Sequence, residues 1–130
     1  MLMAAPMRRW PEPGMRSEPM VEITLDWDTP YEKALYTFSH VRLLRFLKDN
    51  GIKSYRVRRS SGGNTHISFE MPGASALDVF SIRAMLNDDR TRLIIDLVRA
   101  YKKMDVNRLF DRKCVKGKIR ISGTWRVVTL

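Results

Sequence analysis

The chain has 130 residues, 44% of them hydrophobic and 29% charged, which is the composition of one globular domain and not of a disordered chain. Lys and Arg total 24 against 14 Asp and Glu, a net charge of +10 that points to a polyanionic partner, nucleic acid before an anionic membrane surface. No apolar run approaches the ~18 residues of a membrane span. The single cysteine, Cys114, excludes an internal disulfide framework and a Cys-rich zinc site, and fits an intracellular, cytoplasmic setting.

Residues 1–19 hold Pro6, Pro11, Pro13 and Pro19 with Arg8, Arg9 and Arg16 among them, and show neither a period nor the apolar core of a signal peptide. They read as a flexible basic arm, leaving 20–130 as the domain. Val21, Ile23, Leu25 and Trp27 then alternate with Glu22, Thr24, Asp26 and Asp28, the period of a strand with one apolar face. Thr29-Pro30-Tyr31-Glu32 carries the signals of a capped helix start, and Leu35, Phe38, Val41, Leu44 and Leu47 supply its apolar stripe up to Asn50-Gly51. Two more strands follow at about 53–59 and 65–71, joined by the turn formers Ser60-Ser61-Gly62-Gly63-Asn64. Helices are expected at about 75–86 and 90–104, the second capped from Asn87-Asp88-Asp89 with Leu93, Ile94, Leu97, Val98 and Tyr101 turned inward. Residues 118–122 and 125–129 flank Gly123-Thr124 as a closing hairpin.

The order β-α-β-β-α-β, with an extra helix and strand, predicts an α+β fold. It is the ferredoxin-like or RNA-recognition-like split βαβ sheet, helices on one face, first and third strands side by side at its centre, and a C-terminal hairpin. Packing the apolar residues against the helices turns Asp26 and Asp28, Arg56 and Arg58, and His66, Ser68 and Glu70 to the open face. Carboxylates two residues apart stand ~7 Å from each other along a strand, a spacing that suits oxygen ligands around one or two magnesium or manganese ions.

Three segments resemble the archaeo-eukaryotic primase superfamily. They are Glu22-Ile23-Thr24-Leu25-Asp26-Trp27-Asp28, the loop and strand from Ser60 to Phe69 containing His66, and Leu93-Ile94-Ile95-Asp96. The resemblance implies a metal-dependent nucleotidyltransferase acting on DNA or RNA in replication, with nucleoside triphosphates as substrates and replication proteins as partners. Asp26, Asp28 and Asp96 would hold Mg2+ or Mn2+ as catalytic ligands, with Asp111 a rival to Asp96. His66 would meet the phosphates of a nucleotide, helped by Ser61, Gly62 and Gly63, whose exposed amides suit an anion, and by Arg56 and Arg58. It covers about 21–111 of the chain.

Other chemistries lack their residues. Paired metal-binding histidines are absent, since the chain has only His40 and His66, and the Ser-Gly loop is followed by no Gly-Lys-Ser/Thr. The alternative is a non-catalytic nucleic-acid-binding or replication-accessory module. Base stacking on the open sheet face is disfavoured, because Trp27 and Phe69 point inward and the first and third strands place no aromatic on that face. Arg108, Arg112, Lys113, Lys116, Lys118 and Arg120, in and near the final hairpin, form a candidate phosphate track.

Overall fold

The computed structural model describes residues 18–103, 106–110, 112–115 and 117–130. The expected arm up to residue 17, Asp111 and Lys116 therefore lie outside the described residues. Among the described residues, six strands and three α-helices follow one another as β1 (Met20–Trp27), a 3-10 helix (Tyr31–Tyr36), α1 (Phe38–Asp49), β2 (Ser54–Arg59), β3 (Thr65–Pro72), α2 (Ala76–Met85), α3 (Arg90–Tyr101), β4 (Arg112–Val115), β5 (Lys118–Ile121) and β6 (Arg126–Thr129). The fold is α+β, a four-stranded antiparallel sheet in the order β1-β3-β2-β6 beside a two-stranded β4–β5 hairpin.

The split βαβ is present in the first three strands. α1 carries the chain from β1 to a parallel β2, and β3 returns antiparallel between them. Alternation sets the register as expected, with Asp26 opposite His66 and His66 opposite Arg58. Ile23, Leu25 and Trp27 of β1, Tyr55 and Val57 of β2, and Ile67, Phe69 and Met71 of β3 are buried with Leu43 and Leu47 of α1 and Val79 and Ile82 of α2. Each such side chain contributes roughly 1.5–3 kcal/mol by leaving water. The Trp27 indole N–H donates to the Leu86 carbonyl at 2.9 Å, so the largest core residue buries no unpaired donor.

Four local features differ from the sequence expectation. The chain does not enter α1 at Thr29. Pro30 leads into the 3-10 helix, and Thr37 caps α1 by accepting from the His40 amide. Leu35 lies on the 3-10 helix, and within α1 the three-residue spacing from Phe38 to Leu47 drifts by about 60° per step around a 3.6-residue turn, so Leu35, Phe38 and Val41 are exposed while Leu43 and Leu47 are buried. Glu32, expected in a capping box, pairs with Arg59 instead. α3 ends at Tyr101 and turns Ile94, Leu97, Val98 and Tyr101 to the outside; its one buried residue is Asp96.

The hairpin pairs β4 with β5, while β6 adds to β2 in the main sheet. β1 is therefore an edge strand and not a central one, and the sequence after α2 explains why. The outward backbone groups of β1 are satisfied by side chains and one amide. Asn107 Oδ1 accepts from the Thr24 amide at 3.0 Å, Arg92 donates to the Thr24 carbonyl at 3.2 Å, and Asp88 Oδ1 accepts from the Asp26 amide at 2.7 Å. The Asp89 amide donates to the Asp26 carbonyl at 2.9 Å, and Asn107 Nδ2 donates to the Glu22 carbonyl. Such a covered edge offers no ladder to a further strand.

Candidate nucleic-acid interface

The β2–β3 connection is a closed loop. Ser60 exchanges backbone bonds with Gly63 and Asn64, and its hydroxyl accepts from the Asn64 amide at 2.9 Å. Gly63 has a φ of +88°, a conformation that side chains disfavour, which is why glycine sits there. The Gly63 carbonyl accepts from the Tyr31 amide at 3.0 Å, which ties the loop to the 3-10 helix. The loop borders a cleft of about 430 Å³ whose lining includes Asp26, Ser61, Gly62, His66, Asp96, Arg108, Arg112 and Lys113. Eight of the residues singled out in the sequence thus meet at one place.

His66 is almost fully buried, 4% exposed, on the polar side of β3. Arg58 donates its Nε–H to His66 Nδ1 at 3.0 Å. An accepting Nδ1 leaves the ring proton on Nε2. Burial first, then the positive charges of Arg58 and Arg92, push the imidazole down to about 4, so it is neutral at pH 7. His66 Nε2 stands 3.8 Å from Asp26 Oδ1, beyond hydrogen-bond range, and both side chains line the cleft. The N–H is therefore available to a ligand oxygen or a bridging water.

Asp26 is pushed up to about 6, chiefly by burial, with Asp88, Asp89 and Asp28 adding repulsion and Arg92 opposing it. Asp28 lies just beyond β1, exposed, and accepts from Asn64 Nδ2 at 2.9 Å at the rim. Asp96 belongs to a buried charge set. Arg83 Nη1 lies 2.9 Å from Asp96 Oδ2, Arg83 Nε donates to Asp88 at 2.7 Å, and Arg92 donates to both Asp88 oxygens at 2.9 Å. The Asn107 amide also donates to Asp96 Oδ2 at 3.0 Å.

A divalent cation held by Asp26, Asp28 and Asp96 would need their oxygens in one shell 2.0–2.6 Å from the ion, as is typical of magnesium and calcium sites. As placed, Asp28 faces Asn64 and Asp96 faces Arg83, so the three do not form a ready ligand set. Among the described residues no group of three or more His, Cys, Asp and Glu side chains is arranged to hold a metal ion.

Arg56 and Arg58 are turned to the open face but line a neighbouring groove of about 380 Å³, together with Glu22, Thr24, Asn107, Arg108, Leu109, Phe110 and Trp125. Arg56 pairs with Glu22 at 2.7 Å and donates to Ser68 at 3.0 Å. Lys118 and Arg120 are exposed on β5 and border neither space. His40 is structural, its Nε2 2.7 Å from the Tyr55 hydroxyl between α1 and β2.

Three participants were not foreseen. Arg92 and Asn107 carry no local motif. Trp125 had a signal: extending the β2–β6 register by one residue beyond the Val57–Arg126 pair sets it opposite Arg58 on the open face. Its ring lies 4.4 Å from the Arg58 guanidinium carbon and 5.1 Å from that of Arg56. Aromatic surface is thus present on the open face, contributed from outside the first and third strands. No protein-family model, curated protein or solved structure matches the chain. Among the described residues no helix is long and apolar enough to cross a membrane.

Proposed function

We propose that this protein binds nucleic acid through the cleft between the Ser60–Asn64 loop, α3 and the start of the β4–β5 hairpin. The observation that carries the proposal is the convergence, on one cleft, of the His66 donor, the Ser-Gly loop and the cations Arg92, Arg99, Arg108, Arg112 and Lys113. Phosphate oxygens accept from all of these groups, and a net charge of +10 draws a polyanion to them. A neutral His66 suits the role, since it donates Nε2–H without needing a proton from solvent. Asp26 sets a limit: its charge repels a phosphate above pH 6, so the phosphate sits toward the basic side of the cleft.

A second reading is metal-dependent nucleotidyl transfer of the primase kind, with Mg2+ or Mn2+ and a nucleoside triphosphate. It is favoured by Asp26, His66 and Asp96 lining the same cleft, and it requires Asp96 to give up Arg83 for a cation. Fluorescence anisotropy of a labelled single-stranded oligonucleotide separates the two. The binding proposal expects affinity in chelator at least as high as in magnesium, which competes for the phosphates. A nucleotide affinity that appears only with magnesium, and is lost in Asp26→Asn, would favour the transfer reading. No binding of strand or nucleotide under either condition would overturn both.

A further inference from the structure

The groove beside the cleft has a different character from the cleft itself. It is bordered by Trp125, Phe110 and Leu109, with Arg56, Arg58 and Arg108 around them. Trp125 is half-buried and Phe110 is 59% exposed, so both offer ring surface to the groove. Three groups already hold the Trp125 ring. The Arg58 and Arg56 guanidiniums lie over it, and the His66 ring centroid is 6.5 Å from its own. A ring supported by cations from the strand beside it is a rigid platform, and cations nearby favour a stacked aromatic that carries electronegative edges. Thr24 and Asn107 add polar groups to the same wall. Arg108, Leu109 and Phe110 border both spaces, so groove and cleft adjoin at these residues.

We propose that the groove is a nucleobase subsite, in which one base of a single-stranded nucleic acid stacks at Trp125 while an adjoining phosphate lies in the cleft. The inference rests on the nucleic-acid reading above and adds to it the strandedness of the ligand. A paired base keeps both faces stacked within its duplex and cannot present one to Trp125, whereas a single strand can. Arg108, at the junction of the two spaces, is placed to follow the backbone between base and phosphate.

The test compares a short oligothymidylate with an abasic strand of the same length, each titrated into the wild-type protein, Trp125→Ala and Trp125→Phe. The wild type is expected to bind the thymidylate more tightly than the abasic strand. Trp125→Ala should weaken the thymidylate by about 5- to 100-fold, the effect of losing one base–aromatic stack, and leave the abasic strand unchanged. Trp125→Phe should restore most of the loss. Equal weakening of both strands by Trp125→Ala, or no weakening of either, would overturn the base subsite while leaving phosphate binding in place. Failure of the wild type to bind even the abasic strand would count against the cleft itself. Should Trp125→Ala not fold, the wild type still decides: the subsite requires thymidylate, and not the abasic strand, to quench the fluorescence that Trp125→Phe lacks.

Discussion

Both faces of the central sheet carry buried side chains, held by different means. On one face Leu25, Val57 and Ile67 pack against α1 and α2, each at 1% exposure or less. On the other, Thr24, Arg58, His66 and Ser68 are all at 8% or less, yet every one is polar and bonded to a named partner. The apolar face tolerates any side chain of suitable volume. The polar face does not, because a buried donor or charge that loses its partner keeps its full desolvation cost. The second face is therefore where the fold is most easily broken.

The largest effect should follow from breaking the charge set that joins α2, α3 and the edge of β1. Asp88 serves two arginines and the Asp26 amide at once. Asp88→Ala leaves Arg83, which is fully buried, with Asp96 as its one remaining carboxylate. A loss of about 3–5 kcal/mol is expected in urea unfolding, as for other broken buried ion pairs. A loss below about 1 kcal/mol would mean that water replaces the carboxylate, and the polar face would be no more demanding than the apolar one.

A smaller effect, of opposite sign, sharpens the contrast within the cleft. Asp26 has a folded pKa of about 6 against an ordinary 3.8, so the fold favours its protonated form. That contribution is complete below about pH 4 and is lost as pH rises through 6. His66 has a folded pKa of about 4 against an ordinary 6.5, so its contribution is present above 6.5 and is lost as pH falls through 4. Between these values the two oppose each other, and the wild-type melting temperature should change little. Asp26→Asn removes one side of the balance. Its unfolding free energy should exceed that of wild type at pH 7 by about 1–2 kcal/mol, after discounting for a carboxylate one-third exposed to solvent, and should fall on acidification. A variant that melts below wild type at pH 7 would show that the Asp26 charge is stabilising.

How much of this was legible in the sequence follows the same division. Period-two alternation placed Asp26, Arg56, Arg58, His66 and Ser68 on the open face, because one slip would have turned Ile67 and Phe69 to water. The apolar stripes of the helices misled. Thr37 restarts α1 after a 3-10 turn, and α3 turns its aliphatic residues outward because Asp96 is the side chain that its neighbours bury. Local pattern reports how residues are spaced, not which side of an element meets a partner. The coverage of the β1 edge by Asp88, Arg92 and Asn107 spans separations of up to 85 residues, and no short motif encodes it. Trp125 was missed because 125–129 was paired with the preceding strand; beside β2, the same alternation sets it opposite Arg58.

The proposed polyanion binding uses the cleft and not the basic surface at large. The salt dependence of affinity for a short single-stranded oligonucleotide tests it most directly, because the log–log slope counts phosphate contacts. The triple variant Arg108→Ala, Arg112→Ala, Lys113→Ala removes three cations that line the cleft, and Lys118→Ala, Arg120→Ala removes two that do not. The triple variant is expected to flatten the slope by about 2, and the β5 double variant to change it by much less than 1. Equal slopes for the triple variant and the wild type, or a larger change in the double variant, would contradict it.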